Sequence, residues 1–317
     1  MSSASAVTRL TVEELQAAYD AAWRGDFAAA RRGYVPSAGK YDEPDLGTTP
    51  GLTTSAGSAG EVEAVLPWRG VVAARTSGAV GTVSRWPVTG PVVAVLAAHP
   101  GAGASTVAVA IAEALAAGGT PTRLVEVADP ARSGLPAAAS AELGVDGSGW
   151  RHGRRGPLQV DRLAEHVRGL GEVLPPRPGE PGVSECVVLD LGWPAREVLA
   201  AGGWLAQLLD AARLVLVCRP TVPAVRQAER LLTDPRSIRP VVIAAPGRGR
   251  WPGGVTASCG PAMRAMREAG RVVTVPLNRR LEVDGVTADP LPRPIAAAGK
   301  ALAAQLMADQ PAARRAG

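Results

Sequence analysis

From Pro91 onward the chain alternates short, continuously apolar runs with segments of helical periodicity, and this pattern restricts the fold more than any other feature. The runs are VVAVLAA (92–98), TRLVEVA (122–128), ECVVLDL (185–191), ARLVLVCRP (212–220), RPVVIAAPG (239–247) and RVVTVP (271–276). Strands without in–out alternation are buried on both faces, as in parallel sheets covered by helices on each side. Helical patterns separate them: 105–117 with Val107, Ile111 and Leu115 on one face, 224–232, 260–270 and an Ala-rich segment at 293–308. The expected fold is therefore α/β, a three-layer doubly wound domain with a mostly parallel sheet over about 91–310, followed by a short tail at 311–317. Residues 143–182 carry no clear periodicity and read as irregular.

Nearly half the residues are apolar but only 3% are aromatic, so Val, Leu and Ala must build the core. No apolar run reaches the roughly 20 residues that cross a bilayer. The opening MSSASAVTRLTVEELQ has no apolar signal core. Cys186 and Cys218 sit in apolar strands as small core residues, and with Cys259 they have no metal-ligand spacing. These features point to the cytoplasm. Before the domain, residues 10–32 read as a helical segment, with Thr11-Val12-Glu13-Glu14 as a capping box. Residues 33–90 read as a Gly/Ser/Pro-rich linker with room for one short strand near 69–77.

The first strand runs into His99-Pro100-Gly101-Ala102-Gly103-Ala104-Ser105-Thr106 and then directly into a helix. Glycines let a backbone approach a phosphate, and the N–H groups and dipole of the helix N-terminus favour an anion. The Ser105 or Thr106 hydroxyl can face a magnesium ion. Two more strands end in acids: Asp190 in VVLDLG and Asp129 in VEVADP. Ligands of doubly wound sheets bind at carboxyl ends of strands, and carboxylates there can hold magnesium. For Asp190 the plainer alternative is a residue that caps the following turn.

Taken in order, these segments resemble the ParA/MinD group of deviant Walker P-loop ATPases, and within it the CpaE/TadZ and septum-site-determining branch. The group's loop has the form K-G-G-x-G-K-[ST]-T. VADPARSGL resembles its D-x-D-P segment, with Asp129 at the second acid and Val127 at the first. VVLDLGWP resembles the second switch, LVLVCRPTVPAVRQAERLL the strand and helix that follow, and VVTVPLNRRLEVDG the late V-P-x-[DN] turn. The resemblance covers about two-thirds of the chain and none of residues 1–90. It implies a P-loop NTPase-like fold, ATP or ADP with Mg2+, and phosphate contacts from Gly101, Ala102, Gly103, Ala104, Ser105 and Thr106. It also implies Pro276 and Asn278 beside the base, and metal contacts from Ser105, Asp129 and Asp190.

The departures shape the functional expectation. Ala104 stands where the group has its phosphate lysine, and His99 where it has the lysine that crosses the dimer. Only Lys40 and Lys300 exist in the chain. Positioned cations carry much of phosphoryl transfer, worth about 10³–10⁵-fold for one catalytic arginine. The leading expectation is a positioning or scaffold protein with a degenerate site and weak or absent hydrolysis. It would serve a DNA-partition, pilus/secretion or division assembly through a protein partner. One alternative is a working ATPase with arginine in place of lysine, for which Asp129, Arg132 and Arg219 are the catalytic candidates. Another is a DNA-binding module that needs no nucleotide, using Arg151-His152-Gly153-Arg154-Arg155 and the net charge of +5. His99 reads as a residue bonded to the loop backbone, His152 and His166 as surface residues. A homodimer is compatible with the resemblance but lacks the crossing lysine. The helix at 293–308 reads as closing the sheet rather than attaching to a membrane.

Overall fold

Residues 85–234 and 240–308 are described by the structure, a computed structural model. The helical segment at 10–32, the linker as far as residue 84 and the tail at 311–317 lie outside the described residues.

Among the described residues nine strands form one sheet in the order β3-β4-β5-β2-β6-β1-β7-β8-β9. Six are those expected: β1 (Val92–Ala97), β2 (Thr122–Glu126), β6 (Cys186–Asp190), β7 (Arg213–Val217), β8 (Val242–Gly247) and β9 (Val272–Pro276). They and β5 (Leu158–Leu163) pair in parallel. Their apolar continuity has a direct cause. Val93 and Val95 of β1 join the core on one face, with Val107 and Ile111 of α1 (Ala104–Ala117). Ala94 and Leu96 join the other, with Leu189 and Leu216. Both faces of the pleat are buried, so a polar residue has no exposed side to occupy.

The helices follow in chain order: α2 (Ala195–Leu199), α3 (Gly203–Ala211), α4 (Val222–Thr233), α5 (Gly253–Ala257), α6 (Pro261–Glu268), α7 (Arg279–Asp284) and α8 (Arg293–Ala308). The last buries Ile295, Ala298, Leu302 and Leu306 and packs on α1, β8 and β9. It closes the sheet. Among the described residues no helix is long and apolar enough to cross a membrane. The three cysteines are buried, as core residues should be.

The first half of the stretch expected to be irregular, as far as Leu163, is instead an antiparallel extension, whereas 164–182 is irregular apart from one turn. β3 (Ala141–Val145) pairs with β4 (Trp150–Arg155), and β4 with β5. The extension's strands hide their character because Arg155 and Arg162 point inward, beside Arg123 of the neighbouring β2. Arg155 is held by Glu113 at 2.6 Å and by the Ala138 carbonyl, Arg162 by Glu142, and Arg123 of β2 by Asp161. A buried guanidinium is tolerable when a carboxylate and carbonyls take its protons.

Between β5 and β6 the described chain forms no α-helix, only a single turn at Leu170–Glu172 and then a proline-rich strap. Prolines 175, 176 and 178 have no N–H, so no regular ladder can form. Side chains take up its carbonyls instead. The Trp204 indole N–H donates to Val173 O at 2.7 Å and that of Trp150 to Leu174 O at 3.1 Å. Arg123 Nη1 donates to Arg177 O at 2.7 Å.

Candidate functional site

The order of strands reverses around β1, which has β6 on one side and β7 on the other. The loops that leave these three strands lie together there, the place where doubly wound sheets bind ligands. After β1 the chain turns sharply, with Ala102 N–H donating to His99 O at 3.3 Å. Gly101 and Gly103 both have positive φ, 70° and 95°, so the turn is built on two left-handed residues. Gly103 is the N-cap of α1 and no described side chain caps it. The first N–H groups of α1 therefore lack intrahelical acceptors and point their positive end at the loop.

His99 is fully engaged by its own chain. Its Nδ1–H donates to Pro100 O at 2.9 Å, and its Nε2 accepts from the Arg219 N–H at 3.3 Å. This assigns the proton to Nδ1 and leaves Nε2 without a donor, as the backbone-bonded reading expects.

A cleft of about 340 Å³ opens beside the loop. Gly101, Gly103 and Thr106 line it from one side, Arg219 from the end of β7, and Pro276 and Asn278 from the end of β9. Arg219 Nη2 lies 3.6 Å from Glu282 Oε1 of α7, an ion pair exposed on both sides. Asn278 caps α7, its Oδ1 accepting from the Leu281 N–H at 3.2 Å. A second hollow of about 380 Å³, lined by Arg85, Trp86, Asp146 and the proline strap, has no glycine loop or helix N-terminus and lies apart from these strand ends.

Behind the loop stand two buried carboxylates. Asp190, the last residue of β6, is in register with Glu126, the last residue of β2. Glu126 accepts from the Ser133 hydroxyl at 2.6 Å and from the Gly134 N–H at 2.7 Å. Asp190 has no hydrogen-bond partner for either oxygen among the described residues. Burial, then the Asp190 charge, pushes Glu126 up to about 7 against the pull of Ser133, Gly134 and Arg162. Burial likewise lifts Asp190 to about 6, although the Ser105 side chain and the Gly192 N–H lie close enough to draw it down. Neither of those two donors meets hydrogen-bonding geometry with Asp190. Ser105 closes the group: a Cβ added at Gly134 would overlap the Ser105 hydroxyl. Among the described residues no three His, Cys, Asp or Glu side chains gather as a metal site, so this is a cluster of two carboxylates and a hydroxyl.

Glu126 was not expected. Its signal lies in TRLVEVA, where an acid interrupts the apolar run Leu124–Ala128. Val127, at the position where the expected pattern has its first acid, is buried in the core. Glu126, one residue earlier, carries the acid on the Asp190 side instead.

Asp129 and Arg132 are engaged by their own chain. The Asp129 carboxylate accepts from Ala131 N–H at 2.9 Å, Val167 N–H at 2.8 Å and His166 Nδ1 at 3.2 Å. Burial opposes the charge, yet these donors hold the pKa below the ordinary value. The carboxylate thus caps the turn Pro130–Arg132 and pins the β5–β6 connection. Exposed His166 is its partner. Arg132 lies over the Trp193 ring, its guanidinium carbon 3.9 Å from the centroid, and Trp193 Nε1 donates to Val127 O at 2.8 Å. The two segments expected as switches are thereby packed on each other. Gly192, with φ 58°, completes the contact, because a Cβ there would overlap Ala128.

The basic run 151–155 forms β4. Arg151 and Arg154 are exposed, and Arg155 is consumed by its ion pair. His152 is no surface residue: Asp161 Oδ1 lies 2.7 Å from its Nδ1 and Asp146 Oδ2 2.9 Å from its Nε2.

No family model matches the chain, and no curated protein matches it. Among solved structures it is similar to the MinC:MinD cell division protein complex of Aquifex aeolicus, at 17% identity and a TM-score of 0.45, over 69% of this chain and 96% of that one. It is similar to the septum site-determining protein MinD complexed with Mg-ADP from Pyrococcus horikoshii, at 12% identity and 0.44, over 69% and 96%. A ParA family ATPase from Chlorobium tepidum matches at 14% identity and 0.43, over 68% and 98%.

Proposed function

We propose that this domain holds the phosphates of an adenine nucleotide against the Gly101–Thr106 loop, turns it over slowly or not at all, and acts as a positioning or scaffold protein. Its partner would be a protein of a DNA-partition, pilus/secretion or division assembly. The observation that carries the reading is the uncapped N-terminus of α1, framed by Gly101 and Gly103, opening on a cleft that Arg219, Pro276 and Asn278 also line. Backbone N–H groups and a helix dipole suffice to hold a phosphate. They do not replace the transition-state charge that a positioned lysine supplies.

Magnesium fits beside this loop. Asp190 has two buried oxygens without hydrogen-bond partners, and Ser105 stands next to it. These two would hold the ion, which would draw charge from the phosphate oxygens when bound. Of the two arginine candidates only Arg219 lines the cleft, so it is the cation best placed to meet a phosphate. That observation favours the arginine-driven ATPase as the second reading. The nucleotide-free DNA module is weakened, because its densest basic run exposes only Arg151 and Arg154. His99 offers no free donor for a contact across a dimer.

Isothermal titration with ATP and ADP, with and without Mg2+, tests the proposal. Expected is binding that Ser105→Ala and Asp190→Asn weaken, with no phosphate release above background. Absence of binding overturns the nucleotide reading. Magnesium-dependent turnover that Arg219→Ala abolishes favours the ATPase reading.

A further inference from the structure

A resting carboxylate in a protein core is expected to have a partner for each oxygen. Asp190 is wholly buried and has none among the described residues, and the acid next to it in register, Glu126, is buried as well. Two carboxylates of like charge and a hydroxyl thus converge from three elements: Asp190 from β6, Glu126 from β2 and Ser105 from the first turn of α1. The nearest described arginine contributions do not resolve the imbalance at Asp190. Arg162 gives its Nη1 and Nη2 protons to the Leu135 and Pro136 carbonyls and to Glu142. Arg132 is over Trp193. Oxygen-only donors of this kind suit a small hard divalent cation, which commonly takes one or two carboxylates and completes its shell with water. Ser105 is only partly buried, so the cluster borders the loop side.

We propose that Glu126, Asp190 and Ser105 form a divalent-cation site that fills without nucleotide. The proposal concerns the site assigned above to magnesium and extends it. Both carboxylates are buried and Asp190 has no other partner among the described residues, so the protein by itself offers the ion two carboxylates before any phosphate arrives. Glu126 gives the site a second consequence. The same carboxylate holds Ser133 and Gly134, which follow directly on the Asp129–Arg132 turn. A cation shared by Glu126 and Asp190 competes with those two donors, so its arrival loosens or re-seats residues 133–134. Occupancy is thereby transmitted to the segment that stacks on Trp193.

The test uses the full chain stripped of nucleotide, with Mn2+ as the probe and the electron paramagnetic resonance signal of free Mn2+ as the readout. One Mn2+ per chain is expected, and Mn2+ or Mg2+ should raise the melting temperature, since a ligand bound only to the folded state stabilises it. Glu126→Gln and Asp190→Asn should each weaken Mn2+ binding by about tenfold or more, the loss of a carboxylate ligand. Glu126→Asp, which keeps the carboxylate, should retain measurable Mn2+ binding. Circular dichroism identifies a variant that has failed to fold, and the remaining variants then decide. Wild-type protein that binds no Mn2+ without nucleotide overturns the proposal, as does wild-type affinity in Glu126→Gln. Nucleotide binding alongside no Mn2+ binding leaves the nucleotide reading standing and removes this one. Mn2+ binding alongside no nucleotide binding does the reverse.

Discussion

Arg132 rests on Trp193 with 3.9 Å between its guanidinium carbon and the ring centroid, and this contact decides between two arginines that the sequence leaves equivalent. Both follow a strand end and both can be drawn next to a phosphate. In the fold one is stacked on an indole whose N–H is bonded to Val127, while the other lines the cleft. Arg132→Ala should leave ATP and ADP affinity within about twofold of wild type and cost about 0.5–1 kcal/mol of stability, the worth of an exposed cation–π pair. Calorimetric titration beside thermal melts measures both. A large loss of nucleotide affinity would put Arg132 in the site after all.

Arg219 should behave in the opposite way. A charge-assisted hydrogen bond is worth about 1.5–3 kcal/mol, so Arg219→Ala should weaken nucleotide binding by about 10- to 150-fold. Its neighbour supplies a second sign. Glu282 lies 3.6 Å from the guanidinium and competes with phosphate for it. Glu282→Gln should therefore tighten binding by a few fold. The pair is exposed, so the gain is small and should shrink as salt rises. Equal affinity in all three proteins would mean that the phosphates are held by the backbone alone.

Much of this arrangement was legible before any coordinate. Strands buried on both faces cannot hide their apolar continuity, and Gly101, Gly103 and Ser105 sit between one such strand and one such helix. What escaped was decided by distant partners. Arg155 and Arg162 look like surface charges until Glu113 and Glu142 are found 42 and 20 positions away. For the same reason β3, β4 and β5 looked irregular. The sequence places Asp129 beside a metal because the donors that hold it, Val167 N–H and His166, belong to a connection with no periodicity to place it. Glu126 escapes a reading by pattern because the pattern has its acid one residue later. The regular part of the fold follows from local periodicity, and the polar part from pairings that periodicity does not encode.

Gly192 tests how tightly the two candidate switch segments are joined. Its φ of 58° suits glycine, and a Cβ there would overlap Ala128 Cβ. A left-handed non-glycine residue costs about 1–3 kcal/mol before any overlap. Gly192→Ala should thus lose about 2 kcal/mol or more, a fall of roughly 4–8 °C in melting temperature for a domain of this size. Trp193 fluorescence should change as well, since displacing residue 192 from Ala128 moves the indole next to it. An unchanged melting point would show that the two segments are not packed as a unit.

His152 makes the stability of the antiparallel extension depend on pH. Both ring nitrogens face carboxylates, Asp161 and Asp146, and only an imidazolium can donate to both. Burial opposes the charge, but the hydrogen bonds and charges of those two aspartates outweigh it and raise the pKa above the ordinary 6.5. The groups facing His152 also include Arg123, which shares Asp161. Because the folded pKa is raised, the stabilisation is complete below about 6.5 and is lost as pH rises through the folded value. Asp146 has the opposite sign. Burial would raise it, but the Trp150 and Ser148 N–H groups, the Ser148 hydroxyl and His152 hold it well below 3.8. Its contribution is present above that value and lost as pH falls through the folded one. The melting-temperature difference between wild type and His152→Gln should therefore be largest near pH 5–6 and should shrink toward pH 9. A difference that stays constant across that range would mean that His152 is neutral in the folded chain and makes only one of its two hydrogen bonds.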